Sequence, residues 1–170
     1  MSEPTLNLNL ICYGWEDPLP KQIPLRAGPL SMIYESGDLR YIRLGEREIV
    51  RRVYVAVRDH NWGTVLPRLV DVERDIRRDS FHIRFRAEHR RGGSDFFWPG
   101  VSHGAPDGTV RFQMEGEARS TFRRNRIGFC VLHLMALAGQ PCTVQHVDGS
   151  RTEGVFPRYI APHQPCRAAG

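Results

Sequence analysis

Phe81-His-Ile-Arg-Phe-Arg-Ala-Glu88 decides the fold class, because apolar and polar side chains alternate along it without a break. Successive side chains of a strand point to opposite faces, so this segment has one apolar face and one charged face. The same alternation occurs in Val110-Arg-Phe-Gln-Met-Glu115. Shorter segments rich in β-branched and aromatic residues predict further strands at 30–34, 39–44, 53–57, 129–134 and 142–147.

Turn sequences separate these strands at the spacing of hairpins, and many short strands with such turns are typical of an antiparallel sandwich or barrel. Helical patterning is weak, since the best window, residues 131–138, ends at Gly139. We therefore predict an all-β fold, an antiparallel β-sandwich of jelly-roll or supersandwich-like form, with at most one or two short helical turns. The turn signals are Ser36-Gly37-Asp38, Gly45-Glu46, Pro106-Asp107-Gly108 and Asp148-Gly149.

The chain divides into three parts by composition. Residues 1–29 are predicted to form an extended, proline-rich lead-in that does not pack, because Pro18, Pro20, Pro24 and Pro29 lie within it. Residues 30–160 should form the sandwich domain. Residues 161–170 are expected to be an irregular tail or the remnant of a linker.

The formal net charge is +5, and Lys21 is the only lysine among the 24 basic residues. Arginine pairs well with phosphates, so nucleic-acid binding is one interpretation. Basic and acidic residues are interspersed, however, and neither an RNA-binding aromatic signature nor zinc-finger spacing is present, so we expect no nucleic-acid partner. No apolar stretch is long enough to span a membrane, and residues 1–9 lack a signal peptide, so we expect a cytoplasmic protein without membrane contact.

Cysteine and histidine spacing gives no support to a metal site. The four cysteines form no Cys-x-x-Cys pair, and the seven histidines have no ligand-like spacing. Cys130 is predicted to be a buried free thiol and His133 a core histidine, since both lie in an apolar run. A dinucleotide fingerprint, a phosphate-binding loop and a Gly-x-Ser-x-Gly elbow are all missing, so we expect no cofactor and assign no catalytic residue.

Two polar segments are candidates for binding a sugar. The first runs from Arg58 to Thr64 and contains Arg58, Asp59, Asn61 and Trp62. The carboxylate and the amide can bond hydroxyls, while the indole stacks on C–H groups. The alternative is a strand end and a turn, with the indole capping the core.

The second segment contains Asn125 and Arg126, which precede an apolar strand and could lie at the rim of a cleft. The alternative is that Arg126 pairs with a carboxylate and braces the sandwich.

Several sequence segments of the chain, between residues 25 and 165, resemble the amino-terminal region of the D-apionate lactonase family. His163, in the last segment, completes the set of candidate substrate-binding residues. The segments are Arg26-Ala-Gly-Pro-Leu-Ser, Tyr34-Glu-Ser-Gly-Asp-Leu-Arg-Tyr-Ile-Arg, Val53-Tyr-Val-Ala-Val-Arg-Asp, Asn61-Trp-Gly-Thr, Asn125-Arg-Ile-Gly-Phe, Phe156-Pro and Pro162-His-Gln-Pro.

This resemblance implies a part of a longer bacterial protein of carbohydrate catabolism. In that family a β-rich leading domain precedes a glycosidase-like barrel, and barrel enzymes carry their catalytic groups at the strand ends of the barrel. The tail Cys166-Arg-Ala-Ala-Gly departs from the family pattern. The expected role is therefore an accessory domain that packs against a barrel and lends a loop to the site of a sugar-acid or lactone ligand. A free-standing carbohydrate-binding module, and a small lactone hydrolase that activates water with His and Asp, are the alternatives.

Overall fold

The computed structural model describes residues 8–13, 16 and 18–159. Its regular elements are antiparallel strands, apart from a short α-helix near the start and a 3-10 turn at Met135–Leu137. The predicted all-β fold is confirmed. The elements are α1 (Leu8–Tyr13), β1 (Ile23–Ala27), β2 (Leu30–Glu35), β3 (Asp38–Leu44), β4 (Arg47–Asp59), β5 (Pro67–Ile76), β6 (Phe81–Arg91), β7 (Ser94–Gly104), β8 (Val110–Met114), β9 (Glu117–Ala118), β10 (Arg124–Leu132), β11 (Pro141–Gln145) and β12 (Arg151–Val155).

Two sheets form the sandwich. The first sheet has the strand order β1-β2-β3-β4-β10, and the second has the order β5-β6-β7-β8, with β9 also paired to β7. The strands β11 and β12 form a separate hairpin. No helix among the described residues is long and apolar enough to cross a membrane.

The core lies between the two sheets. Strand β6 shows why, since its odd-numbered residues from Phe81 to His89 are all buried while the charged residues between them face outward. Burial of such apolar side chains is the main stabilising contribution to folding. The other buried apolar residues are Leu25, Ala27, Met32, Tyr34, Leu39, Ile42, Ala56, Val57 and Val65 before β6, and Phe96 and Trp98 after it.

The lead-in was expected to stay unpacked, and for residues 23–27 this expectation is wrong. Strand β1 pairs with β2 along its whole length, and it buries Leu25 and Ala27. Apolar side chains alternate there with Pro24 and Arg26, which are exposed. A proline is tolerated in this strand because β1 lies at the edge of its sheet.

His89 is the buried histidine of this core. Its Nδ1 lies 2.7 Å from the carbonyl oxygen of Val65, and the indole N–H of Trp98 donates to its Nε2 at 2.9 Å. Because Trp98 is a donor only, Nε2 must accept, and the proton lies on Nδ1. Burial lowers the pKa of the His89 imidazole below its ordinary value, which keeps the ring neutral.

The prediction that His133 lies in the core is wrong, because this residue follows β10 and is exposed. Its ring packs against Phe156 instead, with the ring centroids 4.9 Å apart. Cys130 is a free thiol as predicted, but it is only half-buried. Both residues belong to the apolar run that starts in β10, an edge strand whose core-facing side is not fully covered, and Cys130 lies on the opposite, outer face of that strand.

Candidate functional site

The predicted Asp59 segment forms a tight turn at the end of β4. One carboxylate oxygen of Asp59 accepts the backbone N–H groups of Asn61 and Gly63, at 2.9 and 2.8 Å. The N–H of Trp62 donates to the Asp59 carbonyl at 3.0 Å, and Trp62 has a positive φ of 65°. The carboxylate of Asp59 therefore holds the turn, as the structural alternative proposed.

This turn places the Trp62 indole beside Arg126. The guanidinium carbon of Arg126 lies 5.8 Å from the centroid of the Trp62 ring, within the range of a cation–π contact. Trp62 is half-buried and is not part of the core cluster, so it does not cap the core. Among the described residues Arg126 forms no ion pair, and the alternative of a bracing salt bridge is not observed.

Asn125 occupies a β-bulge between β10 and β4. Arg124 pairs with Asp59 and Arg126 pairs with Arg58, so Asn125 is the extra residue of its strand. Asn125 and Asn61 are both exposed. The bulge therefore places Asn125 at the same end of the sheet as the Asp59 turn.

A cleft of about 320 Å³ lies on the outer face of β4 and β10, next to Trp62. Ala56 and Gly128 face each other across the two strands, and small residues at both positions leave a depression. Gly128 has a φ of 149°, which side-chain-bearing residues rarely adopt, and no atom lies within 4 Å of the place that a Cβ would take. The lining residues are Tyr54, Ala56, Arg58, Trp62, Arg126 and Cys130.

The cleft carries two arginines without acidic partners. Arg58 and Arg126 are directly opposite in the ladder, and neither is within 4.0 Å of a carboxylate in the described part of the chain. Arg58 donates to the hydroxyl of Thr64, which fixes its direction. Arg52, two residues before Tyr54, differs, because its Nε donates to Asp38 at 2.7 Å.

The structure thus brings Trp62 and Arg126 together, leaves Asn61 and Asn125 exposed, and uses Asp59 in the turn. His163 lies outside the described residues. Sequence reasoning missed Tyr54 and Ala56, although their spacing of two along a predicted strand was a signal that they share one face. It also missed Cys130 as a cleft residue and Gly128 as the residue opposite Ala56, which only the pairing of β10 with β4 reveals.

The lining of the described cleft includes no histidine and no carboxylate side chain. Its polar atoms belong to arginine, tyrosine and tryptophan side chains and to a thiol. Within residues 8–13, 16 and 18–159, no group of three or more histidine, cysteine or acidic residues could hold a metal ion. The two guanidinium groups give the cleft a positive charge, and the indole and Ala56 give it an apolar part.

Comparison with known proteins identifies the family of the chain. A sequence model for the N-terminal domain of D-apionate lactonase matches residues 10–169. The chain belongs to this family. A curated D-apionate lactonase from Brucella anthropi is 32% identical over 157 residues, which are 91% of this chain and 26% of that relative. This member of the D-apionate lactonase N-terminal family therefore spans about a quarter of the relative's length. No solved structure matches it significantly.

Proposed function

We propose that this chain is the N-terminal accessory domain of a longer D-apionate-lactonase-like protein and does not catalyse lactone hydrolysis alone. The observation that carries the proposal is the coverage: the match takes in nearly all of this chain but only 26% of the relative. The whole protein would hydrolyse the lactone of a sugar acid in the cytoplasm of a bacterium, as a step of carbohydrate catabolism. The catalytic groups would lie in the remaining three quarters.

An apolar surface on β10 and beyond supports this proposal. Phe129 and Val131 face the same side as the core, since they pair with Val55 and Val53 of β4, yet they are 42% and 48% exposed. The ring of Phe129 contacts the second sheet at Phe112, with 5.1 Å between the ring centroids. Large exposed apolar areas of this kind mark interaction surfaces.

The occupant that fits this surface is the rest of the longer protein, which the resemblance describes as a barrel. The chain leads from β10 directly into exposed apolar residues of the 3-10 turn and the hairpin, so the surface lies along the path toward the later part of the sequence. A partner domain that follows in the same polypeptide would meet this surface first. The exposed apolar residues after Val131 are Leu132, Met135, Val144, Val147, Val155 and Tyr159.

The test has two parts. The purified 170-residue chain is assayed for hydrolysis of D-apionate lactone, with the Brucella anthropi relative as the positive control, and we expect no turnover above buffer. The DNA downstream of the Gly170 codon is read in all frames, and we expect coding sequence similar to the remainder of the relative. Turnover by the bare chain would support the small hydrolase instead, and the absence of such coding sequence would contradict the accessory role.

A further inference from the structure

A groove of about 640 Å³ lies on the outer face of the first sheet, over strands β1, β2 and β3. The strand register aligns Arg26 of β1, Ser31 of β2 and Arg43 of β3 in one row across the sheet, and all three line the groove. Their neighbours Leu25 and Met32 are buried in the core, so the row faces outward. Because opposed residues of adjacent strands have their Cβ atoms about 5 Å apart, the short serine side chain has an arginine on each side.

The two arginines of this row are not balanced by acidic side chains. Neither Arg26 nor Arg43 has a carboxylate oxygen within 4.0 Å in the described part of the chain. Glu48 is opposite Arg43 in the ladder, but its carboxylate is paired with Arg51 at 2.6 Å. The lining contains three arginines and one glutamate, so the groove has an excess of two positive charges.

Other arginines on the same face of the sheet differ from this pair. Arg40 and Arg52 are opposite each other, which brings two like charges together. Each has an acidic partner within the fold, Glu35 for Arg40 and Asp38 for Arg52. A bound anion would supply at the groove the charge that these carboxylates supply to their arginines.

A β-bulge places Tyr41 in the lining of the groove. Tyr41 lies where the register between β2 and β3 shifts, and its φ of 52° is uncommon for a residue with a side chain. The guanidinium carbons of Arg40 and Arg51 lie 5.1 and 5.3 Å from the centroid of its ring. Nη2 of Arg40 donates to the Tyr41 hydroxyl oxygen at 3.3 Å, which leaves the hydroxyl proton for a further acceptor. Strained residues of this kind cluster at ligand sites.

An apolar row continues the groove. Pro24 and Ile33 are opposite each other, two residues along from the row of Ser31, and both line the groove. An organic group attached to the anion would lie against these side chains and bury apolar surface.

We propose that this groove binds a phosphate group, with the phosphate above Ser31 and between Arg26 and Arg43. A phosphate monoester carries about two negative charges at neutral pH, which matches the excess charge of the lining. Its three terminal oxygens accept from two guanidinium forks and from the hydroxyls of Ser31 and Tyr41. A carboxylate has a single charge and two oxygens in one plane, so it would leave one arginine unbalanced. The site concerns binding only, and it does not depend on the accessory role of the domain.

Titration calorimetry of the purified chain tests this inference with phenyl phosphate, inorganic phosphate and sulfate, and with benzoate as the carboxylate match of phenyl phosphate. We expect saturable binding of phenyl phosphate that weakens at high salt, and binding of benzoate that is weaker by about tenfold or more. Tighter binding of phenyl phosphate than of inorganic phosphate would assign the site to a phosphate ester, and equal binding would assign it to the free ion. Both results support a phosphate site.

Two groove variants and one control locate the binding. Arg43→Gln removes a guanidinium from the row, and Arg111→Gln on β8 removes the same charge from an exposed position outside the groove. Arg43→Gln should weaken binding of phenyl phosphate by about tenfold or more, whereas Arg111→Gln should leave it within about twofold. Ser31→Glu places a carboxylate between the two arginines, and it should abolish binding while circular dichroism shows an unchanged sheet signal.

The charge of the ligand provides an independent readout. Phosphate esters lose their second negative charge below about pH 6, whereas sulfate remains a dianion. Phenyl phosphate should therefore bind about fourfold more weakly at pH 5.5 than at pH 7.5, and sulfate should bind equally at both. The charged side chains of the lining are Arg26, Arg43, Arg51 and the paired Glu48.

The inference is overturned by no saturable heat at millimolar phenyl phosphate, by equal losses in Arg43→Gln and Arg111→Gln, or by benzoate that binds as tightly as phenyl phosphate. Tighter binding of a thymidine oligonucleotide than of phenyl phosphate would also overturn it, in favour of a nucleic-acid backbone.

Discussion

The two-sheet sandwich and the β11–β12 hairpin are built from the same kind of strand, yet they differ in what their side chains contact. Strand β6 buries every second residue, whereas no residue of β11 or β12 is buried. The hairpin is joined to the preceding turn by backbone bonds between Gly139, Gln140 and Phe156. A two-stranded hairpin alone is marginally stable in water.

This difference shows that backbone hydrogen bonding alone does not make a part of this chain stable. Both regions have complete antiparallel ladders. Only the sandwich encloses apolar side chains between two layers, and this burial contributes most of the stability of a domain. The hairpin and the apolar side of β10 lack such a second layer in the described structure, which is what the proposed accessory role predicts.

Amide hydrogen exchange should show the largest contrast between the two regions. We expect the amides of β6 and β7 to exchange only through global unfolding, which for a domain requires about 5–15 kcal/mol. The amides of β11 and β12 should exchange at close to unprotected rates, because no buried contact holds them. Equal protection of the amides in the two regions would contradict the expectation that the sandwich is more stable than the hairpin.

A core truncation should have the next largest effect. Phe85→Ala removes a ring that lies 5.2 Å from Trp98 and 6.5 Å from Tyr34 between centroids, and it should lower the free energy of unfolding by about 3–5 kcal/mol. The matched hairpin variant Val155→Ala should change it by less than about 0.5 kcal/mol, since Val155 is exposed. Urea denaturation measures both, and a large loss in Val155→Ala would argue that the hairpin shares the core.

The buried histidine should make the stability of the sandwich depend on pH. His89 stays neutral in the fold because burial lowers its pKa, whereas the unfolded chain binds a proton below about pH 6.5. The free energy of unfolding should therefore be retained above that pH and fall as the pH drops below it.

His89→Phe should abolish this dependence and lower the stability at pH 8 by about 1–3 kcal/mol, because it leaves the Val65 carbonyl and the Trp98 N–H unpaired. Urea midpoints at pH 8 and pH 5.5 for both proteins provide the measurement. The difference between the proteins isolates His89, because the other titratable groups are common to both. An identical pH profile in the variant would show that His89 does not control it.

Self-association of the isolated chain should give the smallest effect. The uncovered side of β10 should make the chain associate at high concentration, and Val131→Ser should weaken this association by about 1 kcal/mol, or about fivefold. Leu44→Ser, which removes an exposed apolar side chain from β3, is the control and should leave association unchanged. Light scattering at increasing concentration measures the association of both variants. A wild-type chain that stays monomeric would contradict the interpretation of the exposed apolar side of β10 as an interaction surface.

Strict alternation allowed some strands to be predicted, and its absence hid others. Strands β6 and β8 follow the pattern of their sequences closely. Strand β7 was not predicted, because Gly100, Ser102 and Gly104 occupy inward positions at which the alternating pattern expects apolar residues. The aromatic ring of Phe85 requires this, since a Cβ at Gly100 would lie 2.5 Å from it. Such a position is small because of its neighbour in space, which a single strand does not reveal.

The candidate site was predictable in its polar part alone. Trp62 and Arg126 were found because aromatic and basic residues beside turn residues are unusual in composition. The opposition of Arg58 to Arg126, and of Ala56 to Gly128, depends on the register between two strands far apart in the sequence. For Asp59 the sequence suggested a ligand-binding carboxylate, and the structure adds that one of its carboxylate oxygens accepts two backbone N–H groups of the turn.

Pro24 also determines where further copies of this molecule could join it by strand addition. A proline has no backbone N–H, so the outer border of β1 is a poor template for an incoming strand. The opposite border of the same sheet is β10, whose stretch from Ile127 to Leu132 contains no proline. Strand addition to this sheet in a concentrated preparation should therefore favour the β10 border, and a proline introduced at that border would suppress it.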